Sequence, residues 1–233
     1  MIIHTSESRG QANHGWLKSR HTFSFADYYN PERIQFGALR VINDDFIAAG
    51  MGFGTHPHRD MEIITIPLEG ALKHQDSMGT SSVITRGEIQ IMSAGTGITH
   101  SEFNASKEEP VKLLQIWVLP KKLNVEPRYE QKAFLHEDRK NKIMTVVSPD
   151  GRDGSVSINQ DAFFSLTDLD QGKKIAYQCQ HPGNGVYVFV IEGEIKIDGK
   201  TFKSRDAVGI EAFTAIEIEA DKNSEVLLME IPL

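Results

Sequence analysis

Two pairs of metal-binding residue types recur at one spacing. His56 and His58 lie two apart in "GTHPHRDMEIITIPLEG" (54–70), and His100 and Glu102 lie two apart in "SAGTGITHSEFN" (93–104). In an extended chain, residues i and i+2 share a face. Each pair therefore presents two donors to one side of its strand, and two such strands side by side bring three imidazoles and a carboxylate together. That set suits Fe(II), Mn(II), Ni(II), Cu(II) or Zn(II); lacking thiolates, it is no Cys-rich structural zinc site. Four protein ligands leave a six-coordinate ion two positions for water, substrate or O2. Pro57 favours an extended conformation at His56 and has no N–H, which suits a strand edge or barrel mouth. Either pair alone reads as polar strand residues. Both together, in order and about one hairpin apart, read as a site.

Such pairs need strands to hold them. Runs rich in Val, Ile, Phe and Thr, punctuated by Gly, Asp, Asn and Pro, predict an all-β fold with few short helices. Strands are expected within 38–47, 61–70, 89–95, 111–120, 142–149, 173–179, 186–202 and 224–232, with short helical turns in "KEEPVK" and "LHEDRKNK". The 233 residues are 39% hydrophobic and 24% charged, an ordinary balance for a packed core. With 25 basic and 32 acidic side chains the formal charge is −7. No dense basic cluster offsets it, so a nucleic-acid partner is not expected. One cysteine, Cys179, precludes an internal disulfide framework. No signal-peptide h-region opens the chain and no apolar run reaches membrane-spanning length. A cytoplasmic location is expected, as a monomer or weak homo-oligomer with no membrane partner.

One internal echo bears on organisation. "PLEGALKHQDSMGTSSVITRGEIQIM" resembles "VIEGEIKIDGKTFKSRDAVGI": each has a strand ending in Glu-Gly, a hairpin, a basic residue with a turn, and another strand. Asp198-Gly199 suits a two-residue hairpin turn. Two related β-domains in tandem are expected, 1–130 carrying the metal site and 131–233 a degenerate copy. Aligning Gly193 with Gly70 puts Cys179 and His181 at the His-x-His positions of the copy, but its partner strand offers no histidine.

These motifs resemble known ones. Gly50-x5-His56-x-His58-x3-Glu62-x7-Gly70 is similar to the first motif of the cupin superfamily, with a slightly longer final gap. Gly87-x5-Ser93-x-Gly95-x4-His100-x3-Asn104 is similar to the second, with Ser93 where proline is usual and two extra residues before the histidine. "FGTHPHRDMEIITIPLEG", "HQDSMG", "IQIMSAGTGITHSE" and "LQIWVLP", in that order, resemble the pirin family, whose members carry two cupin barrels (double-stranded β-helix, jelly-roll). "ANHGWL" and "HTFSFADYYNP" resemble its bacterial branch.

The resemblance implies a metal, Fe(II) favoured over Cu, Mn, Ni, Co or Zn, held by His56, His58, His100 and Glu102. Strand parity alone does not choose between Glu102 and Glu62; the resemblance favours Glu102 and leaves Glu62 a reserve or a solvent-facing residue. It also implies a quercetin 2,3-dioxygenase that opens the heterocyclic ring of a flavonol with O2 to give a depside and carbon monoxide. Glu102 would then also accept the proton of the substrate 3-hydroxyl. Gln115 shares a strand face with Leu113, Trp117 and Leu119 and is a candidate for the pocket or for supporting a ligand. Phe23, Phe25, Tyr28 and Tyr29 are candidates to close the mouth, and His14, His21 or His74 to orient a ligand from behind. Two alternatives remain: a metal-containing regulatory protein without turnover, since pirin relatives include nuclear cofactors of transcription, and a cupin isomerase or sugar-binding module, which would need a wide polar pocket with several Arg or Lys. Arg59 is the one such residue near the His-x-His pair.

Overall fold

The computed structural model describes all 233 residues. The chain forms two compact units. One holds residues 10–134 and 156–160; the other holds 1–9, 135–155 and 161–233. After β1 (Ile2–His4), a strand of the second unit, the first unit runs through β2 (Gly10–Asn13), β3 (Leu17–His21), β4 (Leu39–Ile47), β5 (Gly52–His58), β6 (Glu62–Glu69), β7 (Ala71–Asp76), β8 (Ser81–Thr85), β9 (Glu88–Ser93), β10 (Ile98–Asn104), β11 (Val111–Val118) and β12 (Arg128–Ala133). Its larger sheet has the order β12-β9-β6-β11-β4-β3-β2 and its smaller one β5-β10-β7-β8. The central strands β6 and β11 are the most apolar. All of β6 but its last residue is buried, as expected for a strand covered on both faces. The core includes a cluster around Leu17, Ile47, Leu72 and Leu113 and another around Ile63, Met92 and Ile98.

Beyond β12 come β13 (Met144–Ser148), β14 (Val156–Ser157, within the first unit), β15 (Phe163–Leu169), β16 (Lys174–Gln178), β17 (Asn184–Glu192), β18 (Glu194–Ile197), β19 (Lys200–Lys203), β20 (Ala207–Ile210), β21 (Ala215–Ala220) and β22 (Ser224–Pro232). The second unit's larger sheet runs β1-β20-β17-β22-β15-β13 and its smaller one β16-β21-β18-β19. The orders repeat: β9-β6-β11-β4 corresponds to β20-β17-β22-β15, and β5-β10-β7-β8 to β16-β21-β18-β19. The molecule is a cupin barrel built twice.

The Glu-Gly echo has a physical cause. Gly70 and Gly193 both have positive φ, 76° and 96°. A Cβ at Gly70 would stand 2.7 Å from the Pro110 carbonyl, and one at Gly193 would strike the Asn223 carbonyl. Each barrel needs a glycine where a central strand crosses to the other sheet. Asp198 and Gly199 likewise adopt positive φ, 48° and 72°, and join β18 to β19.

The run 186–202 divides into three strands at the Glu-Gly and Asp198-Gly199 turns, as the strand-then-hairpin reading of the repeat has it. One local expectation needs correction. "KEEPVK" forms no helix: Pro110 precedes the start of β11, and the residue before a proline is biased towards extended backbone. "LHEDRKNK" does hold a four-residue helix, His136–Arg139. No helix is long and apolar enough to cross a membrane.

Candidate metal centre

β5 and β10 pair antiparallel, with His100 directly opposite His56 and Ile98 opposite His58. The same registration brings the three imidazoles together. Ring centroids are 4.9 Å apart for His56–His58, 4.4 Å for His56–His100 and 4.9 Å for His58–His100. A ligand nitrogen from each ring falls within 4.8 Å of the other two. Past His100 the register slips: between the pairs His100–His56 and Glu102–Phe53, one residue of β10 (Ser101) faces two of β5 (Gly54 and Thr55). This bulge sets Glu102 opposite Phe53 on one side and His74 of β7 on the other. Glu102 therefore groups with His100 and His74, a second cluster with donor atoms within 4.8 Å, rather than with all three imidazoles of the first.

Hydrogen bonds orient these donors. His56 Nδ1 donates to the Gly54 carbonyl at 2.8 Å, which leaves Nε2 as its free lone pair. Gln115 Nε2 donates to Glu102 Oε2 at 2.8 Å, and Thr65 Oγ1 donates to Gln115 Oε1 at 2.8 Å, which fixes the amide. Among the candidate ligands, two buried atoms have no hydrogen-bond partner: His100 Nε2 and Glu102 Oε1. Leaving such atoms unserved is costly, and a cation between them removes the cost. Burial pushes His100 down to about 2 and His58 down to about 4, each helped by its neighbouring imidazoles. Both are therefore neutral at pH 7, the form that binds metals. Burial also pushes Glu102 up to about 7; the Gln115 amide opposes this and nearby Asp45 adds to it. The residues present fit a divalent first-row ion.

A cavity of about 400 Å3 opens beside this cluster. Trp16, Phe25, Phe53 and Trp117 line it with His56, His58 and Glu102, and its polar spots include Asn43, Asp45 and Gln115. Trp117 stands edge-on to His58 at 5.0 Å and to Phe25 at 5.4 Å. Gln115 and Phe25 line this cavity, and His21 lines it too, donating Nδ1–H to Asn43 at 2.7 Å.

Other candidates lie elsewhere. Phe23 is 1% exposed and belongs to the core, outside the cavity lining. Tyr29 is 73% exposed. Glu62 is neither solvent-facing nor in the cavity: it is fully buried on the larger sheet and accepts from Ser93 Oγ at 2.7 Å and Asn159 N at 3.2 Å. His74 lies behind His100, away from the cavity. Asn43 and Asp45 were not anticipated. The signal was present in "VINDDFI", where Val41, Asn43, Asp45 and Ile47 share a face and are all buried, so that two polar side chains point where a core strand has apolar ones.

Residues 3–118 match the family model Pirin, and residues 145–231 match the quercetinase C-terminal cupin domain. A protein of Escherichia coli (strain K12) named quercetin 2,3-dioxygenase is 48% identical over 232 residues, covering 100% of this chain and 99% of that protein. A pirin-like protein of Caulobacter vibrioides is 39% identical over 222 residues, covering 95% of each. Among solved structures, bacterial pirin YhhW from Escherichia coli in complex with nickel(II) has a TM-score of 0.94 at 47% identity, covering 99% of this chain and 98% of that one. A quercetin 2,3-dioxygenase from Acinetobacter baumannii, 18% identical with a TM-score of 0.76, covering 100% of this chain and 86% of that one, shares the fold. Likeness at this identity along its whole length assigns the chain to the pirin family, in the group with two cupin barrels.

Proposed function

We propose that this protein is a metal-dependent dioxygenase that opens the heterocyclic ring of flavonols such as quercetin with O2, releasing a depside and carbon monoxide. The observation that carries the proposal is the juxtaposition of three clustered imidazoles and a buried carboxylate with an aromatic-lined cavity. His56, His58, His100 and Glu102 would hold the ion. When bound, it supplies Lewis acidity and redox chemistry towards O2. The nickel(II) complex of the related bacterial pirin supports a divalent ion, and the names of the relatives support the reaction class.

The chain's own residues supply the rest. Trp16, Phe25, Phe53 and Trp117 offer flat apolar walls to a planar aromatic substrate and exclude water, and the volume lies within the ~300–1,000 Å3 usual for small-molecule sites. Glu102 would take the proton of the substrate 3-hydroxyl by shifting its Oε1 off the ion. Burial raises the proton affinity of this carboxyl in the metal-free protein, and a bound cation opposes that rise. Gln115 holds the other oxygen and keeps the carboxylate aimed during the transfer. A sugar-binding or isomerase role is disfavoured: the lining contains no Arg or Lys, and Arg59 donates to Asn124 at 2.8 Å.

The test is quercetin consumption and oxygen uptake by wild type and Glu102→Gln at matched metal content. The variant is expected to lose about 10²–10⁴-fold in rate. Equal rates would overturn the assignment of Glu102. Metal-loaded wild type that leaves quercetin intact would overturn the dioxygenase reading in favour of a non-enzymatic metal protein.

A further inference from the structure

We propose that Asp76 and His74 form a relay behind His100 that fixes which of its ring nitrogens faces the metal. The proposal rests on the metal-site reading above, but not on the substrate. His74 and Asp76 are two apart on β7 and pair with β10, His100 opposite Asp76 and Glu102 opposite His74. The side chains of both His74 and Asp76 are wholly buried. His74 Nε2 lies 3.1 Å from Asp76 Oδ2, and His74 Nδ1 lies 3.5 Å from His100 Nδ1. The other Asp76 oxygen accepts the backbone N–H groups of Met78 (2.9 Å) and Thr80 (3.0 Å), so the following turn holds the carboxylate in place. Tyr129 lies over the His74 ring at a centroid distance of 4.8 Å and is itself tied to Ser82 (2.5 Å) and Gln131 (2.7 Å).

With His74 neutral, this chain has one consistent direction. The carboxylate accepts, so His74 carries its proton on Nε2. His74 Nδ1 is then a lone pair and needs a donor, which is Nδ1–H of His100. A neutral imidazole with its proton on Nδ1 has a bare Nε2, and His100 Nε2 is the buried atom without a hydrogen-bond partner beside His56 and His58. The reverse direction would set His74 Nε2 against the carboxylate as two acceptors in a dry interior, with the full desolvation cost of both. The relay thus does for His100 what the Gly54 carbonyl does for His56, from one residue further away. His74 also has a rival role, since its donor atom groups with those of His100 and Glu102. There it would be a direct ligand through Nδ1, and His100 would turn Nδ1 rather than Nε2 to the ion.

Two measurements decide. In metal-free wild type, long-range ¹H–¹⁵N spectra of the imidazoles are expected to place the His100 proton on Nδ1; a proton on Nε2 overturns the relay without any variant. Ni(II) titration of metal-free protein supplies the second. Asp76→Asn puts an amide donor opposite His74 Nε2 and reverses the chain, and His74→Ala removes it. Each is expected to weaken Ni(II) binding by roughly 10–100-fold while leaving it measurable. Wild-type affinity in both variants overturns the relay. Complete loss in His74→Ala makes His74 a ligand and also overturns it. Wild type that binds no Ni(II), with the His100 proton still on Nδ1, overturns the metal reading instead.

Discussion

Asp45 is nearly wholly buried in the cavity wall, and burial pushes its carboxyl up to about 7, against a hydrogen bond from Ser19 and with the help of Asp44. An unfolded aspartate ionises near ~4. Between about 4 and about 7 the unfolded chain gives up a proton that the folded chain keeps. The stability this carboxyl contributes is therefore present in full below about 4 and is lost as pH rises through about 7. Asp45→Asn removes the dependence. In metal-free protein the Tm of Asp45→Asn relative to wild type is expected to be higher at pH 8 than at pH 4; a difference that does not change with pH would refute the assignment. The three proposed histidine ligands stood out by their i, i+2 spacing in strands, whereas Glu102 was preferred to Glu62 only through the family resemblance. Asp45 was harder to read because acidic residues on strands usually face water, and a single strand does not show which of its faces is covered.

The metal cluster depends on how β5 meets β10. Gly52 lies where a Cβ would strike the Glu102 carbonyl oxygen and stand 2.5 Å from Phe103 Cα. It lets β5 close onto β10 beside the bulge that aims Glu102 at His74. Gly52→Ala is expected to force these strands apart, cost about 1–3 kcal/mol and weaken Ni(II) binding. Gly54, inside the bulge, is the control, because a Cβ there would meet nothing within 4 Å. Gly54→Ala keeps the carbonyl that orients His56 and is expected to bind as wild type. A calorimetric Tm and a Ni(II) titration for both variants check this, and an unperturbed Gly52→Ala would sink it. The apolar central strands β6, β11 and β22 were readable from composition. Strand β5 is half exposed along its length and has no apolar run, so only its histidines and Pro57 marked it as extended. The bulge has no sequence signature of its own, since one extra residue in a strand changes no periodicity that so short a segment can display. For that reason parity predicted four converging ligands, whereas the backbone splits them into two overlapping groups.

Across the molecule, one strand order is used twice with different fillings. The Glu-Gly turns that betrayed the repeat are demanded by backbone approach in both barrels, so they persist where the chemistry does not. Residues 1–9 of the second unit were not readable as such, because β1 is three residues long and its partner β20 lies some two hundred residues away. In the second barrel, β16 takes the place of β5 but ends at Gln178, before Cys179 and His181. The buried carboxylate nearby, Glu230, is consumed by donors: Tyr177 OH at 3.0 Å, the backbone N–H groups of Gln180 at 2.9 Å and His181 at 2.8 Å, and Asn184 Nδ2 at 3.2 Å. A carboxylate engaged in this way has no lone pair to spare for a cation. In the first barrel, by contrast, a carboxylate oxygen and an imidazole nitrogen are left without partners. The expected stoichiometry is therefore one tightly held divalent ion per chain. Metal analysis after loading and dialysis is expected to return one equivalent for wild type and none for a His56→Ala, His58→Ala double variant. Two equivalents in wild type would overturn the single-site reading, and one retained by the double variant would move the ion from the His56–His58–His100 cluster to another donor set, with His74, His100 and Glu102 the first to test.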